Sequence, residues 1–162
     1  MTDRSVLEDR ARDLAAPLVE LSDGAAGDAT LVIRRGSERF GIPLDAVVEV
    51  QRGPSMTPLP TAAAPVVGVI GWRGRILTVI DIAASGASIG ADTEWRAVIV
   101  GRSRARIAIF ADAVDETRVI EAGEIRPPDE VALRSEHAPL RGITADALIV
   151  LDGEALLSRY SA

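Results

Sequence analysis

The sequence predicts a mainly β protein built from two small β-barrels packed together, and three observations lead there. From Leu31 onward, short apolar runs alternate with turn residues at the spacing of an all-β barrel, leaving no room for long crossover helices. Aromatic residues make up only 3% of a chain that is 48% hydrophobic, so the core must be assembled from Val, Ile, Leu and Ala, whose β-branched members favour pleated surfaces. Finally, the chain repeats itself. VIRRGSERFGIPLDAVVE, from Val32, lies over IVGRSRARIAIFADAVDE, from Ile99, at a constant shift of 67 that sets Phe40 on Ile107, Ile42 on Ile109 and one DAV on the other.

Taken in order, residues 1–29 read as an amphipathic helix and a linker. Leu7, Ala11, Leu14 and Ala15 share one helical face over Val6–Ala16, Ser5 and Glu8 form a capping box, Pro17 stops the helix, and the Gly-, Ala- and Asp-rich stretch 22–29 has no apolar period. Residues 30–162 form the main domain, one folding unit with two subdomains. Its strands are expected in LVIRR, RFGIPL, VVGVIGW, RILTVI, RAVIVG, ARIAIF and ALIVL, with hairpin turns at Arg35–Gly36–Ser37, Arg73–Gly74 and Arg102–Arg104. A weaker echo pairs GVIGWRGRILTVID with GITADALIVLD, and the Pro-rich loops GPSMTPLPTAAAP and RPPDE occupy equivalent places. After Asp152, GEALL begins a short C-terminal helix. Two copies of one open unit imply two barrels packed face to face, because each sheet needs closure or a partner to protect its edges.

Composition narrows the function. Cysteine is absent, which removes disulfides, thiolate metal sites and thiol nucleophiles and agrees with a reducing, cytoplasmic location. The first ten residues lack the apolar core of a signal peptide, and no run of 18 apolar residues could cross a bilayer, so no membrane insertion is expected. A net charge of −6 with scattered basic residues argues against nucleic acid as a partner.

Asp45, Asp81, Asp112 and Asp152 each end an apolar strand, and converging carboxylates can bind a cation or move protons. Each also precedes residues that start a helical turn, so the expected role is N-capping. His137, the sole histidine, has no motif partner, and no nucleophile elbow, Walker loop or GxGxxG follows a strand; no catalytic residue, metal site or cofactor is expected. Trp72 and Arg73, with Gly74 permitting a tight turn, have the composition of an interface hot spot at a hairpin tip. The second copy has only TAD there, and a requirement of the fold should recur in both copies whereas a partner contact need not. The competing reading folds Trp72 back over a barrel end and pairs Arg73 with Asp45 or Glu49.

FGIPLDAVVEV, TPLP, VVGVIGWRGRILTVIDI, IAIFADAVDE, IRPP, LRGI and LIVLDGEALL, in that order from Leu31 to Leu157, resemble the CheW-like coupling proteins of bacterial chemotaxis and the related domain that ends chemotaxis histidine kinases. The resemblance implies two five-stranded SH3-like barrels and no enzymatic activity. It implies an adaptor that joins the signalling tip of chemoreceptors to the regulatory domain of a CheA-type histidine kinase, in the cytoplasm at membrane-associated receptor arrays. Carried over by motif, receptor binding falls on Val47, Gly68, Trp72, Arg73 and Gly74, and kinase binding on Leu44 and Glu49. Thr78 and Ala108 stand where the family often has Pro and Gly. A scaffold for a non-flagellar chemosensory pathway is the alternative; a small-molecule-binding barrel would need a polar pocket that no segment announces.

Overall fold

The computed structural model describes residues 27–83, 94–128 and 138–160. The predicted N-terminal helix and His137 lie outside them. Eleven strands appear in the described residues: β1 (Gly27–Arg35), β2 (Glu38–Pro43), β3 (Val47–Arg52), β4 (Met56–Pro58), β5 (Val66–Trp72), β6 (Arg75–Ile80), β7 (Arg96–Gly101), β8 (Ala105–Ala111), β9 (Ala113–Glu121), β10 (Leu140–Ile143) and β11 (Leu148–Leu151). One helix, α1 (Gly153–Tyr160), closes the described chain. The seven expected strands are present, as are the three hairpins and the short C-terminal helix.

The strands form two sheets, of five in the order β10-β11-β2-β1-β9 and of six in the order β3-β7-β8-β6-β5-β4. Neither sheet belongs to one copy of the repeat. The β1–β2 hairpin of the first copy pairs with β9 and, in parallel, with β11 of the second; the β7–β8 hairpin of the second pairs with β3 and, in parallel, with β6 of the first. The crossing is reciprocal, so the copies are related by an approximate two-fold exchange. The segment after β9 meets β10 through a pair of backbone hydrogen bonds between Arg126 and Ile143, at 2.9 and 3.0 Å, which brings the two edges of the first sheet together.

Alternation along the strands explains why so many are apolar throughout. On β1, Leu31 and Ile33 face a core shared by the sheets, while Val32 faces an apolar layer inside its own sheet. Likewise Val98, Ile107 and Ile109 enter the shared core, whereas Ala97, Ala108 and Phe110 fill the second sheet's own layer. α1 adds Leu156 and Leu157 to the shared core. Three stacked apolar layers therefore hold the molecule, and a strand buried on both faces has no polar side to display.

Outside the first sheet, Asp146 gathers three elements. It accepts hydrogen bonds from Arg118 on β9 (2.9 and 3.2 Å), from Arg39 on β2 (3.3 Å) and from the Thr144 hydroxyl in the β10–β11 turn (2.6 Å). The Arg118 guanidinium, then the Thr144 hydroxyl, hold the Asp146 carboxyl well below the usual carboxylate range. A depressed acid stabilises the fold above its unfolded value and loses that contribution as the pH falls through the folded one. Arg118→Ala is expected to move the Asp146 titration, followed by carboxyl NMR, up towards the ordinary value of about 4. It is also expected to flatten the loss of stability below that pH.

Candidate functional site

Asp112 and Asp45 do not act as helix caps; Asp81 accepts the Ala83 N–H, and the residues that would continue a helix from it lie outside the described residues. AVVE and AVDE continue as strands β3 and β9, the first after a single 3₁₀ turn at Leu44–Ala46 that has no side-chain cap; their backbone groups pair with β7 and β1, a ladder that other parts of the chain supply. Asp152 caps α1, accepting the Ala155 N–H at 2.9 Å. Asp81 and Asp112 converge on Arg35, which leaves the first sheet and enters the second. Arg35 donates from Nη2 and Nε to Asp81 at 2.6 and 3.0 Å and from Nη1 to Asp112 at 3.2 Å, and its guanidinium lies 4.6 Å above the centre of the Phe110 ring. Asp112 also accepts the Gly36 N–H (2.6 Å), and Asp81 the Ala83 N–H (3.1 Å). Arg35 is 4% exposed. Burial alone would lower its pKa, but the hydrogen bonds and charges of Asp81 and Asp112 outweigh that and raise it, so it stays a cation. The acids thus staple the sheets. Nothing in the periodic pattern announces this, because the partners lie 46 and 77 residues from Arg35.

The β5–β6 hairpin has a different character. Trp72 pairs with Arg75 across a two-residue turn in which Arg73 (φ 45°) and Gly74 (φ 74°) are both left-handed, the type I′ geometry that matches strand twist. Both elements of the competing reading are realised. Trp72 packs partly against the second sheet's own layer and donates from Nε1 to Glu49 at 3.2 Å, and Arg73 donates to the same carboxylate oxygen at 2.7 Å while lying 4.9 Å from the Trp72 ring centre. Arg73 nevertheless keeps 71% of its side chain in solvent. Glu49, expected at the kinase-binding edge, and Trp72–Arg73, expected to bind receptor, therefore belong to one cluster.

Val47 and Leu44 are half-buried against the shared core at the start of β3 and in the turn before it. Gly68 is buried, and a Cβ there would sit 2.6 Å from the Thr57 carbonyl oxygen and 2.8 Å from Met56 Cγ. Gly68 thus lets β4 lie close against β5 and acts on the hairpin by supporting it. Sequence reading missed Ile76, which is 78% exposed on β6. The available signal is its cross-strand partner, Gly71, which has no side chain to cover it. Val48 and Val50, on the solvent side of β3, add further exposed apolar surface.

Among the described residues no group of three or more His, Asp or Glu is placed to hold a metal ion, and no helix is long and apolar enough to cross a membrane. The acids join sheets, while an aromatic, a guanidinium and an isoleucine stand at an outer hairpin: this arrangement defines a scaffold that works by binding. Residues 29–161 match the family model of the CheW-like domain, and the chain belongs to that family. It is 30% identical over 121 residues to chemotaxis protein CheW of Rhizobium meliloti (strain 1021), covering 74% of this chain and 78% of that one. It is 36% identical over 100 residues to protein FrzA of Myxococcus xanthus, covering 59% and 61%. Its fold is similar to the crystal structure of scaffolding protein TtCheW from Thermoanaerobacter tengcongensis, with a TM-score of 0.64 and 27% identity over 78% of this chain and 89% of that one. Members of the family are scaffolding adaptors of chemotaxis and not enzymes, and this chain is a chemotaxis coupling scaffold.

Proposed function

We propose that this scaffold couples chemoreceptor signalling tips to the regulatory domain of a CheA-type histidine kinase, in the cytoplasm at receptor arrays. In this reading, residues 30–162 act as one CheW-like domain of two SH3-like barrels behind an N-terminal helix and linker. The observation that carries the reading is the Trp72–Arg73–Gly74 tip, anchored through Glu49 and bordered by exposed Ile76. An aromatic and an arginine held in a fixed pose before binding lose little freedom on association, and such residues dominate interface energetics. The receptor surface comprises Val47, Trp72, Arg73 and Gly74 with Gly68 beneath, and Leu44 and Glu49 border the kinase surface.

Arg73→Glu sets a second carboxylate against Glu49 and reverses the charge offered to a partner. It is expected to weaken binding of a receptor signalling fragment by about tenfold or more in calorimetric titration. Unchanged affinity in a variant with wild-type circular dichroism and melting would remove the hairpin from the receptor surface.

A further inference from the structure

The repeat places a second version of the Arg35 site in this molecule, and the two versions differ in one respect. The shift of 67 carries Arg35 to Arg102 and Asp112 to Asp45, and the strand-end echo carries Asp81 to Asp152. The main chain keeps the equivalence: the Asp81 N–H donates to the Pro65 carbonyl and the Asp152 N–H to the Pro139 carbonyl, both at 2.9 Å. Arg102, Asp45 and Asp152 line one cleft of about 440 Å³, together with Gly153 and the Asp28–Arg141 ion pair.

The difference lies in the hairpin. β1 and β2 pair without interruption up to Arg35 and Glu38, whereas a bulge between Val100 and Gly101 sets Gly101 against Ala105. A bulge re-aims the side chain that follows it. Arg102 is 63% exposed and meets Glu154 at 3.6 Å, so the guanidinium that fills the first site is turned out of the second. Asp45 is left exposed at the cleft, and Asp152 carries the Ala155 N–H.

We propose that this cleft receives an arginine side chain of a partner polypeptide, held between Asp45 and Asp152 as Arg35 is held between Asp112 and Asp81. The first site shows the chemistry that such an acid pair selects: a planar fork sharing its N–H groups between two carboxylates, which a lysine ammonium does not match. Charge agrees, since the four acids lining the cleft outnumber its two arginines, and Arg141 is already paired with Asp28.

The test is an NMR titration of the whole protein with Nα-acetyl-arginine methylamide, beside the lysine analogue, following the amides of Ala46 and Gly153. The arginine probe is expected to give saturable shifts in the millimolar range. Asp45→Asn and Asp152→Asn, the latter retaining a capping side chain, should each weaken it about tenfold, and Asp28→Asn by less than about twofold. Equal shifts with the lysine probe, or shifts that survive both substitutions, would reduce the effect to general screening of acids and overturn the proposal. So would an Arg102 Nε–H as protected from exchange as that of Arg35, because the chain's own arginine would then occupy the cleft. The probes contain neither receptor nor kinase, so failure here leaves the coupling reading untouched.

Discussion

Asp81→Ala is expected to destabilise the protein by about 3–5 kcal/mol, enough to unfold a large fraction of a marginally stable domain. The loss of the carboxylate's contacts is the smaller part of that. The larger part comes from Arg35, which is 4% exposed and would remain a buried cation without its bidentate carboxylate, while Asp112 lies at 3.2 Å with its own side chain one-third in solvent. Asp112→Ala is accordingly expected to cost less, about 1–2 kcal/mol. Replacing both members of the buried pair by apolar residues, Arg35→Met with Asp81→Leu, should recover much of the loss, since no buried charge is then left and Asp112, one-third in solvent, still accepts the Gly36 N–H. Urea denaturation measures all three, and an unchanged slope with a shifted midpoint marks a change of stability alone. If Asp81→Ala melts like the parent, the staple contributes nothing and the sheets are held by apolar packing only.

Phe110→Ala is expected to cost about 3–5 kcal/mol. Phe110 is completely buried in the second sheet's apolar layer, stacks on Trp95 with ring centres 4.8 Å apart and planes within 8°, and also lies beneath the Arg35 guanidinium. Truncation removes the ring from the second sheet's apolar layer, leaves Trp95 unsupported and takes one neighbour from the buried cation. Trp95 fluorescence should shift to the red as water reaches the space, which circular dichroism alone would not register. Because Phe110 and Asp81 share Arg35, their substitutions should not add; a coupling of about 0.5–3 kcal/mol in the double-mutant cycle is expected. Simple additivity would show that the cation and the ring are energetically separate.

Most strands were legible in the sequence because their residues carry local signals: alternation, β-branched content and turn dipeptides at Arg35–Ser37 and Arg73–Gly74. β3, β4, β9 and β10 were not: Asp followed by AVVE or AVDE is also how a helix begins, β4 lies in a Pro-rich stretch, β10 has only four residues, and the ladder pairing that makes each a strand is supplied from outside the segment. The binding hairpin was partly legible. Its tip lacks a counterpart in the second copy, which marks it as something beyond the fold, but its link to Glu49 and the exposure of Ile76 depend on neighbours that only the packed sheets supply.

The sequence alone established a duplicated, all-apolar-cored β unit, because a repeat and an alternation are properties of order along the chain. The tertiary structure alone decided that the copies exchange hairpins, that Arg35 draws two strand-end acids inward, and that a one-residue bulge leaves the equivalent acids facing an open cleft. The physical reason is that pairing partners are selected by burial and charge compensation across space, and two nearly identical hairpins satisfy the local rules equally well in either sheet.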